Sequence, residues 1–192
     1  MVLFGNSVLC VCLHFVIFPV VGQQFVNVAI NKSYRQISKW RGQGPSSDAA
    51  NGNTSGHYDG HNCIHTDFDV NDRTHPPIPN NTYHWWEVDL GRTYPVQDIT
   101  VWARNSFGFI FNNRLYPFTI TVDNKTCVNV TSPPSTGRSN SVTCSSVLYG
   151  RVVRLTLTRT NIILNLCEFQ ILVPSGVSQC PAGHHGAQCG QT

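Results

Sequence analysis

Apolar and polar side chains alternate with period two through much of the second half of the chain. Ile99, Val101 and Ala103 oppose Thr100, Trp102 and Arg104. Phe118, Ile120 and Val122 oppose Thr119 and Thr121. Val153, Leu155 and Leu157 oppose Arg154, Thr156 and Thr158, and Phe169, Ile171 and Val173 alternate with Glu168, Gln170 and Leu172. In an extended strand successive side chains leave by opposite faces, so each run predicts a strand with one buried face. Trp85–Leu90 reads as another strand, which Gly91-Arg92 is expected to close as a turn. No long segment carries the 3.6-residue spacing of an amphipathic helix. Short strands separated by turn-rich gaps predict an all-β domain, a sandwich of two sheets.

The gaps differ in character. Residues 42–79 form a long polar stretch rich in Gly, Ser, Asn, Asp and His, with Cys63 available to pin it to a strand. Loops of that length in a compact domain are usually functional or held by something. Residues 105–113 form a second irregular stretch that carries Phe107, Phe109 and Phe111. After Pro174 the chain turns Gly-rich, ending in Cys180-Pro-Ala-Gly-His-His-Gly-Ala-Gln-Cys189. Residues 1–22 hold no Asp, Glu, Lys or Arg, and their apolar run from Val8 to Val21 ends in small residues. This reads as a signal peptide cleaved before Gln23, although the basic start of such a leader is missing. A retained signal anchor is the other reading, opposed by Asn6, His14 and Pro19 within too short a span. The organisation expected is a leader at 1–22, a β domain at 23–174 and a tail at 175–192.

Charge and cysteine usage then set the environment. Thirteen Lys+Arg against ten Asp+Glu leave +3, and only 12% of residues are charged. That excess is too small, and too scattered, to imply a nucleic-acid partner. The 41% apolar content argues against a disordered chain. Of eight cysteines, Cys10 and Cys12 leave with the leader, so Cys63, Cys127, Cys144, Cys167, Cys180 and Cys189 remain. An even set in a secreted chain implies disulfides. Glycosylation sequons at Asn31, Asn53, Asn80, Asn124 and Asn129 agree with a secreted protein.

Several pieces, in order, resemble the F-type lectins (fucolectins): Asn27-Val-Ala-Ile, Asn51-Gly-Asn53 followed by Cys63-Ile-His65-Thr, Trp85-Trp-Glu-Val-Asp-Leu-Gly and Leu166-Cys-Glu-Phe. The resemblance spans about Gln24 to Val173. It implies a jelly-roll-like β-sandwich, a structural Ca²⁺ and a shallow fucose site on loops at one end. It also implies the disulfides Cys63–Cys167 and Cys127–Cys144, with Cys180–Cys189 then pairing inside the tail. The tail itself resembles the opening of an EGF/laminin-type repeat.

By the same resemblance, calcium takes oxygens from Asp48, Asn51, Asn53, Asn62, Cys167 and Glu168, several through the backbone. Hard oxygen donors, carbonyls included, are what this ion prefers. Asn51 stands where the family commonly has Asp, and Asp48 where it commonly has Asn. A loop needing no ion, with Glu168 on a solvent face, is the alternative, and Asn53 cannot readily serve both an ion and a glycan. Zinc on His57, His61, His65, His75 and His84 is opposed by their spacing and by the lack of free thiols.

The sugar-binding set carried over is His65, Arg104 and Arg114. A guanidinium fork bridges vicinal hydroxyls and imidazole offers a donor or an acceptor. The family's Asp two residues after the first Arg is Ser106 here, the adjacent Cys pair that often covers the sugar is absent, and the Arg104–Arg114 spacing is long. Surface pairing of Arg104 with Asp98 or Glu87 is the plainer reading. The function expected is a secreted, calcium-dependent fucose- or glycan-binding domain. The alternative is an adhesion or receptor ectodomain that binds protein ligands, cell-surface proteins among them, with a degraded sugar site and EGF-like repeats in the full chain. Weak single sites would call for linked copies, so a homo-oligomer stays open. No paired acid and base or activated nucleophile is recognisable; the acidic cluster Asp67, Asp69 and Asp72 has no partner that sequence can place.

Overall fold

A computed structural model describes residues 24–40, 44–57, 62–67, 78–79, 81–106, 109–110, 112–135 and 137–176. The expected leader, the Cys180–Cys189 pair, Asn80, His61, His75, Phe107 and Phe111 lie outside the described residues. The strands are β1 (Phe25–Asn27), β2 (Ser33–Gln36), β3 (Ile64–His65), β4 (Trp85–Trp102), β5 (Asn105–Ser106), β6 (Phe109–Ile110), β7 (Phe118–Val122), β8 (Lys125–Val130), β9 (Ser139–Leu157), β10 (Asn165–Leu166) and β11 (Glu168–Pro174). Two 3-10 turns, Ser46–Ala50 and Asn112–Arg114, sit in the loops.

Seven of the described strands join in the order β1-β11-β4-β9-β7-β8, with β2 on the other edge of β4. All pairings are antiparallel. The long strands β4 and β9 belong to both layers. Trp85–Asp89 pairs with Val152–Thr156 and with β2, while Asp98–Trp102 pairs with Ser139–Thr143 and with β11. Register shifts between Asp89 and Tyr94 and between Val96 and Asp98 mark where the pair passes from one layer to the next. A bulge bends a strand and increases its twist, which lets one strand serve two sheets.

That passage corrects the sequence reading at Gly91-Arg92. The strand does not turn back there. Gly91 has φ 79°, a conformation that glycine adopts without steric penalty, and it sits in the irregular stretch while β4 continues. At the other end β4 stops at Trp102, so Ala103 and Arg104 lie beyond it. Residues 105–113 are less irregular than expected, since β5 pairs with β6 before the second 3-10 turn.

The alternation places the core as expected. Tyr34, Val88, Val153 and Val122 stand opposite one another across one layer, and Ile171, Ile99 and Val142 across the other. Trp86 and Phe169 meet between the layers at 5.2 Å, both fully buried, and Tyr34 stacks on Trp86 at 5.8 Å. Glu168 breaks the pattern: its position in the alternation is polar, yet it is completely buried. Disulfides join Cys63 to Cys167 and Cys127 to Cys144.

Candidate functional site

The first cluster is built around β3. This two-residue strand pairs with β10, setting His65 opposite Asn165. The carbonyl of His65 accepts hydrogen bonds from the Trp40 N–H (2.9 Å) and from Gln36 Nε2 (3.2 Å), which fold the end of the β2 segment over it. Trp40 thereby meets the imidazole edge-on at 5.6 Å. Ser38 fixes the next turn, its hydroxyl accepting from the Asp67 N–H (2.9 Å) and donating to the Asp67 carbonyl (2.7 Å). Arg104 follows Ala103, whose N–H donates to the Arg138 carbonyl at 2.8 Å. Arg114 ends the second 3-10 turn.

These segments enclose a hollow of about 330 Å³ lined by Trp40, His65, Asp67, Arg104, Arg114 and Ile163. Arg114 Nη1 lies 3.2 Å from His65 Nε2. A guanidinium can only donate, so Nε2 is the acceptor and the imidazole is neutral. Burial, then the charges of Arg114 and Arg104, hold the His65 pKa down to about 4. The hollow thus offers two cationic donor groups, a neutral imidazole, a carboxylate and a half-exposed indole. Hydroxyl-rich ligands with one apolar face match that set.

The three sequence-predicted residues His65, Arg104 and Arg114 come together here. Of the carboxylates the sequence offered to Arg104, Glu87 accepts from Arg35 and Arg154, and Asp98 accepts from the Thr143 hydroxyl at 2.9 Å. Sequence reasoning missed Trp40, Asp67 and Ile163. Asp67 carried a signal, because it follows His65 by two positions. Trp40 carried none, since its place depends on the loop folding back onto β3.

A second cluster lies where the loop after Ser46–Ala50 meets the start of β11. Trp86 Nε1 donates to the Ser46 carbonyl (2.8 Å) and anchors the 3-10 turn that buries Asp48. Glu168 Oε2 accepts from the Gly52 N–H at 3.1 Å, and Oε1 has no hydrogen-bond partner. Burial pushes the Glu168 carboxyl up to about 7, against the opposing effect of the Gly52 N–H, the Gln170 side chain and the Asn51 N–H. Asn51 Oδ1 accepts from the Asn53 N–H (2.8 Å), Asn53 Oδ1 from the Ser55 N–H (2.9 Å), and Asn62 Oδ1 from Asn53 Nδ2 (2.7 Å). Cys167 adjoins Glu168 and is bridged to Cys63.

Two buried carboxylates beside three amide oxygens fit a hard cation that prefers oxygen. Among the described residues no three His, Cys, Asp or Glu side chains converge, so such a site relies on amide and backbone oxygens. Asn53 Nδ2, the atom a glycan would occupy, is used inside the loop.

The chain belongs to the family described as NedA-like, galactose-binding domain, whose profile matches residues 48–155. No curated protein matches the sequence significantly. Among solved structures, a fucolectin from the serum of striped bass (Morone saxatilis) is 25% identical, with a TM-score of 0.62 over 78% of this chain. This chain covers 47% of that protein, less than half its length. The lectin domain of lectinolysin, solved with Lewis B antigen, is 25% identical with a TM-score of 0.61, over 76% of this chain and 95% of its own. The Streptococcus pneumoniae fucose-binding module SpX-3 is 25% identical with a TM-score of 0.59, over 76% and 96%. The fold is therefore that of galactose-binding and F-type lectin domains.

Proposed function

We propose that this chain is a secreted, calcium-stabilised lectin-like domain that binds fucosylated glycans. The observation that carries the reading is one hollow lined together by His65, Arg104, Arg114, Asp67 and Trp40. Arg104 and Arg114 donate to neighbouring sugar hydroxyls, and neutral His65 adds an uncharged polar contact. Asp67 supplies the carboxylate acceptor that Ser106 does not, and Trp40 covers the sugar's apolar face. The Lewis B antigen bound by the lectinolysin domain and the fucose-binding description of SpX-3 support this ligand class.

Asp48 and Glu168, with oxygens of Asn51, Asn53, Asn62 and Cys167, would hold Ca²⁺. The ion would supply positive charge to a buried carboxylate and tie the 48–62 loop to β11. That loop adjoins Cys63, two residues before His65, so holding it steadies the hollow. Secretion is supported by the charge-free apolar leader and by two disulfides, which persist in oxidising compartments. Charge-assisted hydrogen bonds contribute ~1.5–3 kcal/mol each. Two or three of them, less ordering costs, leave a single fucose near millimolar affinity, about −4 kcal/mol. Linked copies would then raise avidity on a glycan-bearing surface.

Arg104→Ala tests the reading. The variant is expected to keep the wild-type melting temperature and to pass through a fucose resin unretained. Retention equal to wild type would place recognition elsewhere.

A further inference from the structure

The layer built by β2, β4, β9, β7 and β8 has two open edges. Among the described residues β2 pairs only with β4, and β8 only with β7. An edge strand offers a row of unpaired N–H and C=O groups to another chain, and soluble proteins cover it, charge it or keep it short. Each of these edge strands carries one charged side chain, Arg35 on β2 and Lys125 on β8. Arg35 is bound to Glu87 at 2.7 Å, and Thr126–Val130 of β8 is uncharged. The edge strand β1 of the other layer has only three residues.

Three sequons fall on the two longer edges. Asn31 leads into β2, Asn124 stands at the turn into β8, and Asn129 lies within β8. These asparagines, and the Ser33, Thr126 and Thr131 that complete their sequons, are all exposed. Asn31 (φ 57°) and Asn124 (φ 67°) hold a left-handed turn conformation that asparagine tolerates. Asn129 has no turn to make and sits in a strand, where asparagine is depleted. Its Oδ1 accepts from Thr119 Oγ1 at 2.6 Å, a bond that substitution at Nδ2 leaves in place. Among the described residues, Nδ2 of these three asparagines makes no hydrogen bond. Asn53 differs, being half-buried with Nδ2 spent on Asn62 Oδ1 at 2.7 Å.

The register keeps these sites clear of the hollow at His65. Ser33 stands opposite Asp89, Asp89 opposite Val152, and Val153 opposite Val122, so Asn31 and Asn124 leave the layer by the same end. Gln36, at the other end of β2, is the residue that reaches the His65 carbonyl. No residue of β8 lines the hollow.

We propose that Asn31, Asn124 and Asn129 carry N-linked glycans that cover the β2 and β8 edges and keep copies of the chain from pairing strand to strand, while Asn53 stays bare. In the transfer, Nδ2 bonds to the anomeric carbon of a lipid-diphosphate-linked oligosaccharide. The bond from that carbon to the diphosphate oxygen breaks, the lipid diphosphate leaves with the electron pair, and Nδ2 gives up one proton to solvent. The assignment rests on the reading of the chain as secreted, because that route supplies the donor.

The test expresses the full chain in a secreting eukaryotic cell and maps its glycopeptides by mass spectrometry. Glycans are expected at Asn31, Asn124 and Asn129 and not at Asn53. Ser33→Ala with Thr126→Ala and Thr131→Ala removes the three sequons and keeps every asparagine and its turn. This variant is expected to aggregate at least tenfold faster than wild type by light scattering. Ser33→Lys with Thr126→Lys and Thr131→Ala, which returns charge to the bare edges, is expected to slow that growth again. Enzymatic removal of the glycans from folded wild type repeats the comparison if the variants are not secreted. A secreted wild type with any of the three sites bare overturns the assignment and leaves the secreted reading standing. Equal scattering by glycosylated and stripped protein overturns the protective role. A chain retained inside the cell overturns both readings.

Discussion

Arg114 faces His65 with a group that can only donate, so protonating this imidazole means placing a third positive charge beside Arg104 and Arg114 in a buried position. Sugar binding is accordingly expected to stay constant from about pH 8 down to about pH 5 and to fail only as the pH nears the His65 value of about 4; fucose titrations across that range check it. His84 is likewise held down to about 4, by burial. Between the usual value of 6.5 and about 4 the unfolded chain takes up protons at both histidines that the folded chain refuses. Their contribution is therefore fully present above pH 6.5 and is lost as the pH falls toward 4, by roughly 3 kcal/mol each at 1.36 kcal/mol per pKa unit. The Glu168 carboxyl, held up to about 7, gains over the same range about what one histidine loses. In EDTA a net loss of about one histidine's share is therefore expected, and a urea midpoint that did not fall from about pH 7 to about pH 4 would contradict that. Trp40 is 42% exposed and bonded to the fold through its backbone, so Trp40→Ala changes a surface more than a core. Covering about 50 Å² of apolar surface at ~25 cal/mol per Å² is worth ~1.3 kcal/mol, close to tenfold in affinity. Trp40→Ala is expected to weaken fucose binding by about that factor with little change in melting temperature. Of these residues, sequence showed His65, Arg104 and Arg114 by motif, whereas Trp40 and Asp67 join them through contacts across 29 positions of chain, such as Ser38 with Asp67.

The two disulfides do different work. Cys63–Cys167 spans 104 positions and fixes the base of β3, two residues from His65, next to Glu168. Cys127–Cys144 spans 17 positions and joins β8 to β9, neither of which lines the first hollow. In the chain-entropy model such loops are worth about 3–5 kcal/mol each. Replacing Cys127 and Cys144 together with Ala is expected to lower stability by ~3 kcal/mol and leave fucose affinity unchanged, as denaturant titration and calorimetry on the same sample would show. Strand identity was legible in the sequence at β7, β11, both ends of β4 and the C-terminal end of β9. Strand length was not. Gly91 looks like a turn in sequence, and only its pairing environment makes it part of an irregularity inside a continuing strand. The Ser46–Ala50 turn was equally hidden, because it is held by the Trp86 indole, 40 positions away, and not by its own propensity.

At the scale of the whole molecule, the loops that line the first hollow come from separate parts of the chain and are brought together by the sandwich, the usual way a rigid scaffold would present a binding surface. The loop after Ala50 takes its shape largely from side chains. Its turns are made by asparagine side chains, and its link to β11 is a buried glutamate with one unsatisfied oxygen. Without an ion, burial penalises the charged form of Glu168, and its raised pKa records that penalty. A bound Ca²⁺ would turn the same buried charge into an attraction. Ligand held only by the folded state at about a hundred times its dissociation constant stabilises by ~2.7 kcal/mol. For a chain of this size each kcal/mol moves the midpoint by roughly 2–4 °C, so saturating calcium is expected to raise the melting temperature by about 5–10 °C over EDTA. Glu168→Gln separates the ion from mere packing, since it keeps the shape of the side chain and removes its charge. The variant is expected to melt in EDTA no lower than wild type and to gain little from calcium. Wild type and Glu168→Gln responding alike to a calcium titration would show that the ion, if it binds, does not bind here.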